Sequence, residues 1–248
     1  MFERLNNYEI LECDFPLIKY KKFLTQQECD QVVEQMNNQL NYDDNVMGGR
    51  NVIYKNSKIF SQLNQIQVIN KLNNFFNNKN TFEFFLKKLK EIKNDNFNFS
   101  PLNISKIYKV QKSKFMDKMF KKLSNKFFDG YVYLEMDYSN AKIGYEREPH
   151  HDRKERILNF LIYFNTLEQK DGGALEIYRY KTYQNKYLQA PKIHDLDLIK
   201  KIYPKACELL IFMSNPVSIH GVEKFISNNK NRIFSYGSYT LSKKVIWS

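Results

Sequence analysis

The segment Glu148-Pro149-His150-His151-Asp152 sets an imidazole and a carboxylate two positions apart. In extended backbone alternate side chains share a face, so His150 and Asp152 point one way and His151 the other. A neutral imidazole beside a carboxylate supplies two-thirds of a 2-His-1-carboxylate facial triad, which holds Fe(II) from one side and leaves positions open for oxygen chemistry. One more histidine is required. His220, in Asn215-Pro216-Val217-Ser218-Ile219-His220-Gly221-Val222, ends an expected strand well downstream, and in a β-fold distant strands become neighbours. The rival is His194, in Lys192-Ile193-His194-Asp195, a polar stretch with no turn to hold it rigid. An HxD tripeptide alone is a weak signal, since a surface histidine near an aspartate is commonplace. Order adds weight: HxD, a strand, a Gly-Gly turn, another strand, a His-Gly and an Arg follow one another.

Ligands so far apart in sequence need a rigid frame. From Tyr131 onward short β-type runs come steadily, at 131–138, 157–164, 174–178, 208–213, 217–221 and 232–241. The turns Lys170-Asp171-Gly172-Gly173 and Ser214-Asn215-Pro216 separate some of them. Strands without long helices between them argue for a sandwich or jelly roll. Upstream the periodicity is helical. Thr25 with Glu28 forms a capping box for a helix from Gln26 to Leu40, whose buried face is Cys29, Val32, Val33, Met36 and Leu40. Further helices are expected over 65–76 and 81–93, and a short strand over 51–54. Ile104 to Val110 reads as a strand and Lys112 to Phe127 as a basic amphipathic helix. The chain therefore divides into a helical and mixed support region, 1–100, packed on a β core, 101–248, within one structural domain.

At 248 residues, with 42% hydrophobic and 15% aromatic residues, the chain can bury a substantial core. Lys and Arg outnumber Asp and Glu by 39 to 27, a net charge of +12, which would draw an anionic substrate, cosubstrate or polymer. Lys and Asn are nevertheless used all along the chain, as a compositional habit and not as one binding stripe. Cys13, Cys29 and Cys207 are scattered and lack CxxC pairing, so neither a disulfide framework nor a zinc knuckle is suggested. A reducing, cytoplasmic setting is expected. The charged start offers no signal peptide, and no stretch reaches the roughly 20 apolar residues of a membrane helix.

The run from Pro149-His150-His151-Asp152 through Leu161-Ile162-Tyr163-Phe164-Asn165, Asp171-Gly172-Gly173-Ala174-Leu175, Pro204-Lys205, Leu209-Leu210-Ile211-Phe212, His220-Gly221-Val222 and Asn231-Arg232 resembles the prolyl-4-hydroxylase-like branch of the 2-oxoglutarate/Fe(II)-dependent oxygenases. The resemblance covers residues 131 to 241, and Phe23-Leu24-Thr25 with its helix is similar to an element that often precedes this domain. It implies a mainly β fold with N-terminal helices, a double-stranded β-helix (jelly roll) with the metal at its mouth. It implies His150, Asp152 and His220 as iron ligands and Arg232 as the partner of the distal 2-oxoglutarate carboxylate, a task suited to a planar, permanently charged fork. Lys224 and Lys230 are the fallback cations. Tyr163 would give that carboxylate a second hydrogen bond, and Tyr138 and Tyr145 are further pocket candidates. The cofactors implied are Fe(II), 2-oxoglutarate and O2, with ascorbate in support.

The activity implied is dioxygenase chemistry: hydroxylation of a small-molecule, amino-acid or peptidyl (prolyl-type) substrate, an anionic one fitting the charge, with release of succinate and CO2. Related halogenases replace the carboxylate ligand with a small residue, and this chain keeps Asp152. The segment 178–205 and the Gly48-Gly49-Arg50 turn are candidate lid or specificity elements. Two alternatives compete. A nucleic-acid-directed oxygenase of the AlkB kind would carry a second Arg where this chain has Ser238. A non-catalytic metal-binding jelly roll would ordinarily have lost a ligand or the cosubstrate Arg. If the positive charge is compositional, generic DNA or RNA should bind weakly at physiological salt and be released by modest added salt in an anisotropy titration. Tight, salt-resistant binding would favour the nucleic-acid reading.

Overall fold

In a computed structural model the described residues are 1–46, 48–92, 107–109, 132–182 and 188–241. The elements, in order, are β1 (Tyr8–Ile10), β2 (Leu17–Tyr20), α1 (Gln26–Asn38), β3 (Asp44–Val46), β4 (Arg50–Tyr54), α2 (Lys58–Leu63), α3 (Gln67–Phe76), α4 (Lys79–Ile92), β5 (Tyr108–Lys109), β6 (Val132–Ala141), β7 (Arg147–His150), β8 (Arg156–Tyr163), β9 (Leu175–Tyr180), β10 (Leu196–Ile202), β11 (Glu208–Met213), β12 (Ile219–Val222) and β13 (Arg232–Leu241). The larger sheet has the order β1-β2-β11-β8-β13-β6-β4-β3, with β5 beside β6, and the smaller one β10-β9-β12-β7. All pairings are antiparallel except β5 with β6. This is the jelly roll, with strands from the first hundred residues widening its larger sheet.

The strand period of two sorts the core into two layers. On β8 and β11, Phe160, Ile162, Leu209, Ile211 and Met213 face the helices. Their neighbours Leu161, Tyr163, Leu210 and Phe212 face the smaller sheet. Both central strands are therefore covered on both sides, which is why they read as continuous apolar runs. The helices dock through aromatic rings: Phe76 of α3 stacks on Phe160 with centroids 4.0 Å apart and planes 9° from parallel. Phe160 in turn lies so close to β13 that a Cβ at Gly237 would sit 2.1 Å from its ring, so only glycine admits it.

The capping box of α1 forms as expected, Thr25 Oγ1 accepting from Glu28 N and Glu28 Oε2 from Thr25 N. The helix stops at Asn38 because Gln39 is extended. Leu40, expected on the buried face, is consequently 91% exposed. The helix expected over 65–76 is α3, the one expected over 81–93 is α4 (Lys79–Ile92), and α2, over Lys58–Leu63, is a further short helix that was not expected. The segment expected as a lid, 178–205, contributes β10, which pairs with β9 as an ordinary edge strand. The basic helix expected over 112–127 lies outside the described residues, as does most of the strand expected over 104–110. The free thiols of Cys29 and Cys207 meet at 3.2 Å, joining α1 to the start of β11. No helix among the described residues is long and apolar enough to cross a membrane.

Phe160→Ala removes the ring that seats α3 on the sheet. It should destabilise the protein by about 3–5 kcal/mol in urea unfolding; a loss under about 1 kcal/mol would mean the site collapses and does not depend on that stack.

Candidate active site

The smaller sheet makes β7 and β12 neighbours, and its register sets His220 directly opposite His150. Their ring centroids are 4.5 Å apart. Asp152 follows just past the end of β7, its Oδ2 lying 3.4 Å from His220 Nε2. One ligand atom from each of the three falls within 4.8 Å of the others, a grouping that could hold a metal ion. His150 Nδ1 lies 2.8 Å from Glu148 O and His220 Nδ1 3.1 Å from Ser218 O. A carbonyl oxygen only accepts, so each Nδ1 carries the proton and each Nε2 keeps its lone pair for a ligand. Burial pushes the His150 pKa down to about 2, with His220 and Arg147 adding to the effect. Burial lowers His220 in the same sense, against the pull of Asp152.

Asp152 is buried and would be raised by burial, but Arg156 and then the two histidines outweigh it and hold the carboxyl below the ordinary aspartate range. Its Oδ1 is gripped by Arg156 Nη1 and by the Tyr236 hydroxyl at 3.2 Å. The Tyr236 hydroxyl also lies 3.0 Å from Asn159 Oδ1, and Arg156 reaches Glu135. These partners turn Oδ2 toward the histidines. Sequence reasoning missed Arg156 and Tyr236; the i,i+4 spacing of Arg156 from Asp152 was the one available signal.

Arg232 is 1% exposed. Its Nε donates to Gly173 O at 2.9 Å, and its guanidinium carbon sits 4.2 Å above the Phe234 ring and 5.4 Å from that of Tyr163. Both Nη atoms and the Tyr163 hydroxyl are buried without a hydrogen-bond partner, as are His150 Nε2 and Asp152 Oδ2. His150, His220, Tyr145 and Arg232 line one narrow cavity. Lys230 is engaged elsewhere, by Asp171 at 2.7 Å. Tyr138 belongs to the helix-facing layer against Phe60 and does not line this cavity. His151 points away, its ring nitrogens 2.6 and 2.7 Å from the carbonyls of Leu188 and Pro216. His194 is a surface residue, with 70% side-chain exposure.

Two further features shape the site. The β7–β12 register slips between His220↔His150 and Val222↔Arg147, so β7 carries one extra residue there. Gly221 sits at this bulge, where a Cβ would come within 2.8 Å of Arg147 O. Beyond Tyr236 opens a larger chamber of about 540 Å³, whose walls include Asp43, Tyr54, Glu135, Asp137 and Arg153. Tyr236 lines both spaces.

The unpaired buried atoms fit a divalent ion facing two imidazoles and a carboxylate, and an oxyanion facing Arg232 and Tyr163. Residues 136–237 match the 2OG-Fe(II) oxygenase superfamily. No curated protein sequence matches the chain. Similar solved structures include the viral collagen prolyl hydroxylase of Paramecium Bursaria Chlorella virus-1, 14% identical over 90% of this chain and 94% of that one, with a TM-score of 0.47. A prolyl-4-hydroxylase of Pseudomonas putida is 14% identical over 92% and 93%, TM-score 0.45. A prolyl hydroxylase of Trichoplax adhaerens, in complex with a hypoxia inducible factor peptide fragment, is 14% identical over 90% and 83%, TM-score 0.49.

Because His150 and His220 titrate lower when folded than when unfolded, the unfolded chain binds more protons below the ordinary histidine pKa of about 6.5. The metal-free protein should hold its full stability above that pH and lose it as pH falls, by about 1.4 kcal/mol per unit for each histidine. Urea midpoints taken in chelator across this range test it; a flat profile would mean that the folded site accepts the protons.

Proposed function

We propose, from the match of residues 136–237 to the 2OG-Fe(II) oxygenase superfamily, that the protein hydroxylates a small-molecule or peptidyl, prolyl-type substrate while 2-oxoglutarate and O2 yield succinate and CO2. In this reading His150, Asp152 and His220 hold the iron, and Arg232 with Tyr163 holds the distal carboxylate of 2-oxoglutarate. The observation that carries it is two sets of buried, unpaired polar atoms at one cavity lined by His150, His220 and Arg232: His150 Nε2 and Asp152 Oδ2 beside His220, and Arg232 Nη1 and Nη2 with the hydroxyl of Tyr163, whose ring lies 5.4 Å from the guanidinium carbon.

Fe(II) with 2-oxoglutarate supplies the oxidising chemistry when bound, and the protein supplies orientation. The carbonyls of Glu148 and Ser218 fix the histidine tautomers. Arg156 and Tyr236 occupy one oxygen of Asp152, leaving the other for the metal. The Gly173 carbonyl and the Phe234 ring fix the Arg232 plane, so its remaining donors need no reorganisation to meet a carboxylate. Leu161, Leu175 and Phe212 give the cavity apolar walls that keep water out and strengthen these charge pairings. The chamber beyond Tyr236 offers room for the body of the substrate, outside the narrow cavity.

Arg232→Ala should weaken 2-oxoglutarate binding by about tenfold or more, one charge-assisted pair, while Mn(II) stays bound, and Arg232→Lys should restore only part. Calorimetric titration reads both; unchanged affinity would sink the assignment. Alanine at His150, Asp152 or His220 should weaken metal binding and abolish succinate release, whereas His151→Ala and His194→Ala should leave the metal bound. Retention of Mn(II) by His220→Ala would remove it from the ligand set.

A further inference from the structure

Strand alternation would put Arg147 on the opposite face of β7 from His150, three positions away, but the bulge at Gly221 cancels that alternation. Arg147 pairs with Val222, and Val222 with Leu175, so the three share a face. That face is the interior, where Leu175 is core and Val222 packs against it. Arg147 accordingly lines the same cavity as His150, His220 and Arg232, half-buried.

The other arginines around the two spaces are matched. Arg50 pairs with Asp137 at 2.7 Å, Arg153 with Glu135, and Arg156 with Asp152 and Glu135. Arg232, on the reading above, would meet the distal carboxylate of 2-oxoglutarate. Arg147 alone among these has no hydrogen bond or ion pair to another described residue. The Asp152 carboxylate feels the Arg147 charge but is already paired with Arg156, and a partly desolvated guanidinium with no hydrogen-bonded partner is costly unless a ligand supplies one.

We propose that Arg147 is the receptor for an oxyanion of the substrate, a carboxylate or phosphate brought beside the metal, so that the protein selects an anionic substrate. The inference rests on the reading of the site given above. With Arg232 allotted to the cosubstrate and Arg50, Arg153 and Arg156 ion-paired, the arginine left over is Arg147.

The test uses the full chain loaded with Mn(II) and 2-oxoglutarate, probed with acetate, L-proline, L-prolinamide and inorganic phosphate. The readouts are the thermal unfolding midpoint and the protection of Arg147 from phenylglyoxal, mapped by peptide mass. At least one oxyanion probe should stabilise the wild type and shield Arg147, while prolinamide does neither. Arg147→Gln should bind that probe about tenfold more weakly, as for loss of one charged hydrogen-bonded pair, and Arg147→Lys should keep part of the effect. Its affinity for 2-oxoglutarate should stay within about twofold of the wild type, well under the tenfold of a lost pair. A tenfold fall in 2-oxoglutarate affinity in Arg147→Gln would instead assign the guanidinium to the cosubstrate and overturn the proposal. So would the absence of any oxyanion effect on the wild type, or an equal effect on Arg147→Gln. A wild type that took up neither Mn(II) nor 2-oxoglutarate would remove the reading of the whole site, a failure visible before any probe is added.

Discussion

A carboxylate as deeply buried as Asp152 is tolerable only if donors surround it, and much of the site's arrangement follows from meeting that requirement. Arg156 and Tyr236 answer one oxygen, and the other faces the histidines of β7 and β12 with no donor of its own. Neither Arg156 nor Tyr236 can be placed independently. Arg156 opens β8 and Tyr236 lies mid-way along β13, so the larger sheet must bring those strands together in register before Asp152 is satisfied. The histidines meanwhile belong to the smaller sheet. The carboxylate thus ties the two sheets at their mouth, and the same tie aims its free oxygen.

The division of the core into two apolar layers explains how polar groups can be gathered there at all. Packing against the helices seats the larger sheet through Phe76 and Phe160 without involving the interior between the sheets. That interior can then hold Arg232, Arg50 and Tyr163 among leucines and phenylalanines. Guanidiniums suit such a setting because their faces pack on rings while their edges donate. Arg50 and Arg232 both lie over Phe234, at 5.2 and 4.2 Å.

Legibility in the sequence followed the range of the interaction. The meeting of His150, Asp152 and His220 could be anticipated because strand alternation and chain order carry it. The capping box of α1 was legible because it is local. Leu40 was misjudged because helical periodicity does not say where a helix ends, and Gln39 ends it. Strand β10 was missed because an edge strand with five of its seven positions at least partly exposed has neither an apolar run nor clean alternation. Arg147 was invisible for the opposite reason: alternation gave a definite answer, and a one-residue bulge reversed it. The pairing of Cys29 with Cys207 depends on a positive φ at Cys207 and on helix docking, which no spacing encodes.

The wall of the larger chamber comes from two sources. Glu135, Asp137, Arg153, Arg156 and Tyr236 belong to the jelly roll, whereas Asp43 and Tyr54 come from the hairpin of β3 and β4 at the margin of the sheet. None of His150, Asp152 and His220, and neither Arg156 nor Tyr236, lies in that hairpin. The hairpin nevertheless reaches the narrow cavity too, because Arg50, the first residue of β4, lines it beside His150, His220 and Arg232. Arg50 faces the narrow cavity while its partner Asp137 faces the larger chamber, so a change in the marginal hairpin is transmitted to both spaces through one buried ion pair.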